Sequence, residues 1–441
     1  MEKFFKIKER GSTVSTELLG GLTTFLAMAY IIVVNPLILS AAGVPFQAAV
    51  TATCFGAALM TIAMGIFANR PIVLASGMGI NAVVAYAICL GVGVDWRVGM
   101  AVIFIEGVVI LLLVLCGLRE AIMRAIPDSL RRAIAIGIGL FIAFIGLQGG
   151  GFIVANPATL ITLGDLTSPT AIVATISILV AAALYAMKIK AGLLISIIVA
   201  TIIGFPLEVT ATFGDFNFLP DFQTFGAPFQ QTPEGMLAIG QVFVQPILLL
   251  FVFSLLMSDF FDTIGTVVAV GSQADFVDKE GNVQDIKPIL TVDSAAAATG
   301  GLIGASSITS YIESIAGVAS GARTGLSNLV VGAGFIIFAF LTPLVGLVTG
   351  AATCGALVVV GFLMMSDIGE INWKDITLAF PAFLIIVGMP LTYSMSHGIG
   401  FGFIAFCVLK VATGKVREIK PLMWIAALAF LVSFLEPLFL R

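Results

Sequence analysis

The chain has one histidine, His397, and a lone imidazole excludes HExxH and other multi-histidine metal sites. Cysteine is nearly as scarce. Cys54, Cys89, Cys116, Cys354 and Cys407 all lie in apolar stretches and form no CxxC pair, so they suggest neither a disulfide framework nor a metal centre. No GxxxxGK[ST] loop occurs, which rules out nucleotide hydrolysis as the power source. Charged residues make up 10% of the 441, against roughly a quarter in a soluble chain. That scarcity excludes an ordinary soluble enzyme, a nucleic-acid binder and a disordered protein. The balance of 21 Lys and Arg against 25 Asp and Glu, a net −4, points to no partner by charge. Alternating segments of barrel type are also missing. What is present is a 59% hydrophobic composition with 47 glycines and 35 phenylalanines. It reads as an all-α polytopic protein of the lipid bilayer that calls for no metal and no cofactor.

Apolar segments of spanning length run at 18–39, 46–67, 71–90, 97–117, 130–148, 169–187 and 191–205. A second set runs at 240–266, 287–303, 306–321, 324–341, 343–365, 375–393 and 395–412, and one more apolar stretch, 421–439, follows. The basic start, Met1 to Arg10, precedes an apolar run too long for a signal peptide, so it reads as a retained first span. With the N-terminus in the cytoplasm and the segments alternating, only Arg97 and Arg441 of the 21 cations fall outside. This agrees with the positive-inside rule and predicts a multi-pass protein of the cytoplasmic membrane. The connections 149–168 and 206–239 hold no Lys or Arg, and the second divides seven segments from seven. Because seven is odd, the two halves enter the membrane in opposite directions. The expectation is a 14-span, 7+7 inverted repeat: 1–205, an extracytoplasmic connection 206–239, and 240–412, with 413–441 beyond the plan.

Transporters built this way place substrate at broken helices in corresponding positions of the halves. The third segment of each half is the interrupted one. Pro71-Ile72-Val73-Leu74-Ala75-Ser76-Gly77-Met78-Gly79-Ile80-Asn81 begins with proline and carries two glycines just before Asn81. Gly304-Ala305-Ser306-Ser307-Ile308-Thr309-Ser310-Tyr311-Ile312-Glu313 is dense in hydroxyl and β-branched residues. Both predict an extended piece followed by a helix whose N-terminus offers free N–H donors. Small residues also permit plain close packing, but matching breaks with a carboxylate at one of them favour a site.

Acids inside membrane segments usually face a cavity or a partner. Asp259 and Asp262, three apart in span 8, are expected on one helix face, and Glu313 opens the half-helix of span 10. Asp293 lies nearer a span end and is the weaker candidate. Glu17 and Arg70 sit at span edges, where charges snorkel. Glu106, inside span 4, needs only a packing partner, and His397 is expected at the interface. Phe251, Phe253, Phe260, Phe261 and Tyr311 are candidates for stacking.

The segment Glu17-Leu-Leu-Gly-Gly-Leu-Thr-Thr-Phe25-Leu-Ala-Met-Ala-Tyr30-Ile-Ile-Val-Val-Asn35-Pro36 resembles the opening signature of AzgA-type purine permeases, the guanine/hypoxanthine/adenine transporters of the nucleobase–ascorbate group. The resemblance continues through Ala75–Ala82, Ser258–Thr266, Ser310–Val318, Arg323–Leu326 and Gly388–Ser394, and so covers nearly the whole chain. It implies a uracil-permease-like fold, with a core domain of spans 1–4 and 8–11 and a gate domain of spans 5–7 and 12–14. It also implies short strands in spans 3 and 10 flanking the substrate, and uptake by proton symport. Tyr311-Ile312-Glu313 matches a base-binding pattern of the uracil permeases. Asp262-Thr-Ile-Gly-Thr266 is similar to their other one, with Asp for Glu and Thr266 in place of a histidine. The implied substrate-binding residues are Asp262, Glu313, Asn81, Tyr311, Thr266, Gly79 and Ile312, and those implied in proton coupling are Glu313, Asp262 and Asp259. A purine base is flat and neutral, and carboxylates accept from its N–H groups while rings stack on its face. A sulfate-type anion transporter of the same fold is the alternative, disfavoured by buried acids and by the lack of a basic residue near the breaks. A hydrolase would need a nucleophile–base pair or a metal cluster. Na⁺ instead of H⁺ coupling, and a homodimer instead of a monomer, both stay open.

Overall fold

Helices form where apolar runs are long and a short polar residue caps the first turn. Thr13 accepts from the Thr16 amide to start α1 (Val14–Met28), and Asp95, Ser168 and Asp375 begin three later helices in the same way. The computed structural model describes residues 2–117, 127–189, 191–210, 219–274, 276, 283–393 and 395–439. Setting aside single turns, α2 (Ile31–Ala41) and α3 (Phe46–Ala63) follow α1, then β1 (Leu74–Ser76) and α4 (Met78–Ala82), which continues as π-type turns to Gly93. Next come α5 (Trp96–Leu115), α6 (Asp128–Gly149), the hairpin β2 (Ile153–Asn156) and β3 (Leu160–Leu163), α7 (Pro169–Ala186) and α8 (Gly192–Gly204). The later part contains α9 (Ala238–Val244), α10 (Pro246–Gln273), α11 (Ile286–Ile303), β4 (Ile308–Ser310) and α12 (Ser314–Ala319). It ends with α13 (Leu326–Ala339), α14 (Gly350–Met364), α15 (Ile376–Leu391), α16 (Met395–Ala412) and α17 (Pro421–Phe439).

Among the described residues, six helices are long and apolar enough to cross a bilayer: Val14–Ala41, Phe46–Ala68, Trp96–Leu115, Ser129–Gly149, Pro169–Ala186 and Gly350–Glu370. Ala238–Val244 and Pro246–Phe260 make a further crossing if counted together, although they bend by 101°. Pro246 has no N–H to continue the ladder, so the apolar run 240–266 is broken near its start. The all-α expectation needs one correction. The connection 149–168 folds as an antiparallel hairpin, Ile153 opposite Leu163, because β-branched residues flank the Asn156-Pro157 turn.

The helices pack in two groups. In one, α6 lies on α14 and α15, α7 on α8 and α14, and α15 on α16. In the other, α5 lies on α10 and α11, α13 on α1 and α3, and α12 on α1. Gly107 lets α5 and α11 touch backbone to backbone, since a Cβ there would stand 2.1 Å from the Ala298 nitrogen.

Between α10, α11 and α3 lies an antiparallel pair of three-residue strands, one from each half of the sequence, with Leu74 opposite Ser310 and Ser76 opposite Ile308. Both strands are wholly buried. The extended pieces expected at both breaks are therefore present. A two-stranded ladder leaves outer edges unpaired, which is costly away from water. Side chains close those edges. The Thr61 hydroxyl accepts from Leu74 N at 2.9 Å and donates to Leu74 O at 2.8 Å, and Ser314 Oγ accepts from Val73 N at 3.0 Å. Asp293 Oδ1 accepts from both the amide and the hydroxyl of Ser310, at 2.9 and 2.7 Å, and the Asn328 amide donates to Ile72 O at 2.7 Å.

The edge charges do not snorkel. Glu17 is fully buried and accepts from the amides of Arg323 and Thr324, which fixes the turn into α13. Arg70 is buried over the Phe276 ring and pairs with Asp285 at 3.1 Å. Each partner comes from the other half of the chain, so neither needs the interface. His397, exposed at the start of α16, packs against the rings of Phe401 and Phe434.

Candidate functional site

The break between α1 and α2 places Tyr30, and the break between β4 and α12 places Glu313. The Tyr30 hydroxyl donates to Glu313 Oε1 at 2.5 Å, a short hydrogen bond from a fully buried phenol to a half-buried carboxyl group. Asp262 on α10 is solvent-accessible, and the charges of Glu313 and Asp293 act on it. Tyr311 lies in the field of both Glu313 and Asp262. Its hydroxyl is already committed, donating to Ser76 O at 2.5 Å across the strands, and its ring is buried. Ile312, between these two residues, is 47% exposed.

In α4, the half-helix after β1, the Asn81 amide donates to Asn35 Oδ1 at 2.5 Å, and Asn35 donates to Thr53 and to Ala305 O. That leaves Asn81 Oδ1 buried with no hydrogen-bond partner among the described residues, and the hydroxyls of Ser76, Ser306 and Ser307 are in the same position. Register and sequence bring these four to the junction of strands and half-helices, where Gly77 N donates to Ser307 O. Gly79 lets α6 approach the half-helix, because a Cβ there would lie 2.8 Å from Ile138 Cγ2. Thr266, one turn beyond Asp262, is buried.

Ile312 and Glu313 follow Tyr311 directly, the charges of Glu313 and Asp262 both act on Tyr311, and Gly79 and Asn81 lie in α4, the half-helix after the paired strand β1. Asp259 is 1% exposed, and its charge and that of Asp293 act on Glu106 of α5. Of the stacking candidates, Phe251 and Phe260 are buried in packing, and the side chain of Phe261 lies outside the described residues. Tyr30, Asn35, Thr61 and Asn328 escaped assignment to the site. Tyr30 and Asn35 stand inside the opening signature, and that was the only signal available for them. Chemically, two carboxylates, an amide oxygen and spare hydroxyls suit a small neutral molecule bearing both N–H donors and acceptors, and none of these groups is basic.

A family profile described as Permease family (Xan_ur_permease) matches residues 15–401. The adenine permease AdeP of Escherichia coli (strain K12) is 40% identical over 433 residues, spanning 98% of this chain and 95% of its own. The guanine/hypoxanthine permease PbuO of Bacillus subtilis (strain 168) is 39% identical over 436 residues, spanning 97% and 99%. Among solved structures, the transmembrane domain of a cyanobacterium bicarbonate transporter, BicA, matches with a TM-score of 0.65 at 16% identity, over 86% of this chain and 95% of that one. This last likeness concerns fold alone. With its apolar helices, its paired half-spans and a match over most of its length, the chain belongs to the Permease family as a multi-pass membrane protein.

Proposed function

We propose that the protein is a secondary active transporter that imports purine nucleobases of the adenine, guanine and hypoxanthine class by proton symport. The observation that carries this reading is the convergence of Asp262 and the Tyr30-held Glu313 beside unpartnered acceptors, in a chain whose relatives are named adenine and guanine/hypoxanthine permeases. In this reading Glu313 accepts from a purine N–H and Asp262 is its partner. Asn81 meets the base from the facing half-helix, with Tyr311, Ile312, Gly79 and Thr266 shaping the walls. Two acids converging on one site do not both ionise easily once closure excludes water. A proton entering from outside neutralises one of them, lowers the cost of enclosing the base and favours closure. Its loss to the cytoplasm releases the base.

The two packing groups support a core of spans 1–4 and 8–11 moving against a gate of spans 5–7 and 12–14, in a 14-span inverted repeat with a cytoplasmic N-terminus. The antiparallel pairing of one strand from each half supports the inversion. A sulfate-type anion carrier of the same fold is the second reading, since a bicarbonate transporter domain shares the architecture. Carboxylates at the break, with no cation to offset them, weigh against it. The test is uptake of radiolabelled adenine, guanine and hypoxanthine by a transport-deficient host and by vesicles holding the purified protein, with unlabelled bases, uracil and sulfate as competitors. Purine uptake is expected. Uptake of sulfate or uracil with no purine overturns the assignment.

A further inference from the structure

The two packing groups meet along α4 and α6, where Gly79 stands against Ile138 just beyond the end of β1. Roughly 10 Å further along α4, at Tyr86, they meet again. There the ring of Tyr86 meets that of Tyr393 edge-on, with centroids 5.3 Å apart and planes at 85°. Tyr393 belongs to the turn between α15 and α16, and α6 supplies the rest of its surroundings. Phe141 stands at 5.3 Å and 83°, Phe144 at 5.9 Å and 72°, and Gln148 Oε1 accepts from the Tyr393 hydroxyl at 2.9 Å. Of these five residues, only Tyr86 comes from the other packing group. Its segment, Val83–Gly93, packs chiefly on α5 and α2. The backbone of Tyr393 has a φ of 52°, in the left-handed region that side chains rarely adopt. A bulky residue stays there only when its surroundings hold it, and here three rings and a hydrogen bond do so. The contact that joins the groups at this level is a pair of uncharged rings, so parting them leaves no buried ion behind. Asp262 and Ile312 meanwhile remain exposed.

We propose that Tyr86 and Tyr393 form the gate on the extracytoplasmic side of the substrate site, shut in this conformation, with Phe141, Phe144 and Gln148 holding Tyr393 in place. The sidedness follows from the path of the chain. The break begins next to Arg70, at the cytoplasmic side in the orientation proposed above, and α4 leads away from it. With the rings shut at this end, the exposed Asp262 and Ile312 are reached from the cytoplasm. For a solute to enter from outside, the two groups part along α4 and α6 and Tyr86 leaves Tyr393. The parted rings then offer faces on which a flat neutral base stacks, whereas an anion meets the negative face of the ring quadrupole. This inference rests on the transport reading above.

The test places a reporter cysteine at Ile312 in the full-length protein, with the exposed Cys116 replaced by serine. Its rate of reaction with trimethylammonioethyl methanethiosulfonate, a fixed cation that does not cross the bilayer, is measured on both sides. Right-side-out vesicles read access from outside, and inside-out vesicles read access from the cytoplasm. The parent should react faster from the cytoplasm. An edge-to-face ring pair shifts a two-state equilibrium by roughly two- to twelvefold. Tyr86→Ala should therefore speed labelling from outside by a factor in that range and slow it from the cytoplasm. Tyr86→Phe keeps the ring and should react like the parent. Gln148→Ala releases Tyr393 with both rings retained, and should move the two rates in the same directions as Tyr86→Ala. It covers a Tyr86→Ala protein that fails to fold. The gate is overturned by a parent that reacts faster from outside or from neither side, or by unchanged rates in Tyr86→Ala and Gln148→Ala. Rates that rise on both sides, as in a loosened protein, or a Tyr86→Phe that behaves as Tyr86→Ala, also overturn it. Purine uptake is followed in the same vesicles with Ile312 intact. A parent that takes up no purine overturns the function proposed above, while the labelling still decides the gate.

Discussion

Tyr30→Phe removes one oxygen atom and keeps the ring that fills the junction of α1 and α2. The lost atom is the donor to Glu313 Oε1 at 2.5 Å, and Tyr30 is fully buried, so no bulk water takes its place. A hydrogen bond to a charged group contributes about 1.5–3 kcal/mol. Glu313 is half-buried, and solvent on its open side offsets part of the loss, so the lower part of that range applies. About 1.5–2 kcal/mol corresponds to roughly a 10- to 30-fold change in an equilibrium constant. Because the bond orients the carboxylate that receives the purine, the change should appear as a 10- to 30-fold rise in KM for uptake, with the maximal rate changed far less. The assay is initial-rate uptake of radiolabelled hypoxanthine or adenine in vesicles over a concentration series. Size-exclusion behaviour and thermal melting in detergent serve as the fold control. A well-folded Tyr30→Phe protein with KM within twofold of the parent refutes the reasoning: either Glu313 does not receive the base, or its position does not depend on Tyr30.

Glu313→Gln and Asp262→Asn should each abolish accumulation of purine against an imposed proton gradient, with Asp259→Asn milder. If both variants, expressed at normal levels, still concentrate purine, neither carboxylate couples transport to the proton. Thr61→Val should leave Leu74 N–H and C=O without their side-chain partner inside a buried ladder, at about 1–3 kcal/mol for each group, and so lower the melting temperature in detergent. An unchanged melting curve means that the strand edge does not depend on Thr61. For topology, Cys116, the exposed native cysteine, is first replaced by serine. A cysteine introduced within 215–230 should then react with an impermeant reagent from outside, and one within 275–283 should not. Reversed labelling removes the inverted-repeat argument.

Apolar run length told most about the helices. The expected segments 130–148, 169–187 and 395–412 end within two residues of Asp128–Gly149, Pro169–Ala186 and Met395–Ala412. The two extended pieces were readable because Pro71, the glycines before Asn81 and the hydroxyl-rich run at 304–310 oppose helix locally. Hydropathy could not reveal what happens across the chain. Tyr30 and Glu313 are 283 residues apart, and Glu17 and Arg323 are 306 apart. Neither pair leaves any periodic trace. A window average also passed over Pro246, although a proline inside an apolar run is itself the signal of a break.

The face argument for Asp259 and Asp262 shows where local geometry stops. Three residues advance about 300° around a helix, so the pair is offset by roughly 60° and is not superposed. On an exposed helix that offset has little consequence. On α10, wedged between α5 and the half-helices, the charge of Asp259 acts on Glu106, while that of Glu313 acts on Asp262. Spacing alone could place two acids near each other but could not assign them to different neighbours, because the neighbours come from spans 4 and 10. The same offset gives one helix two carboxylates whose fields involve different neighbours.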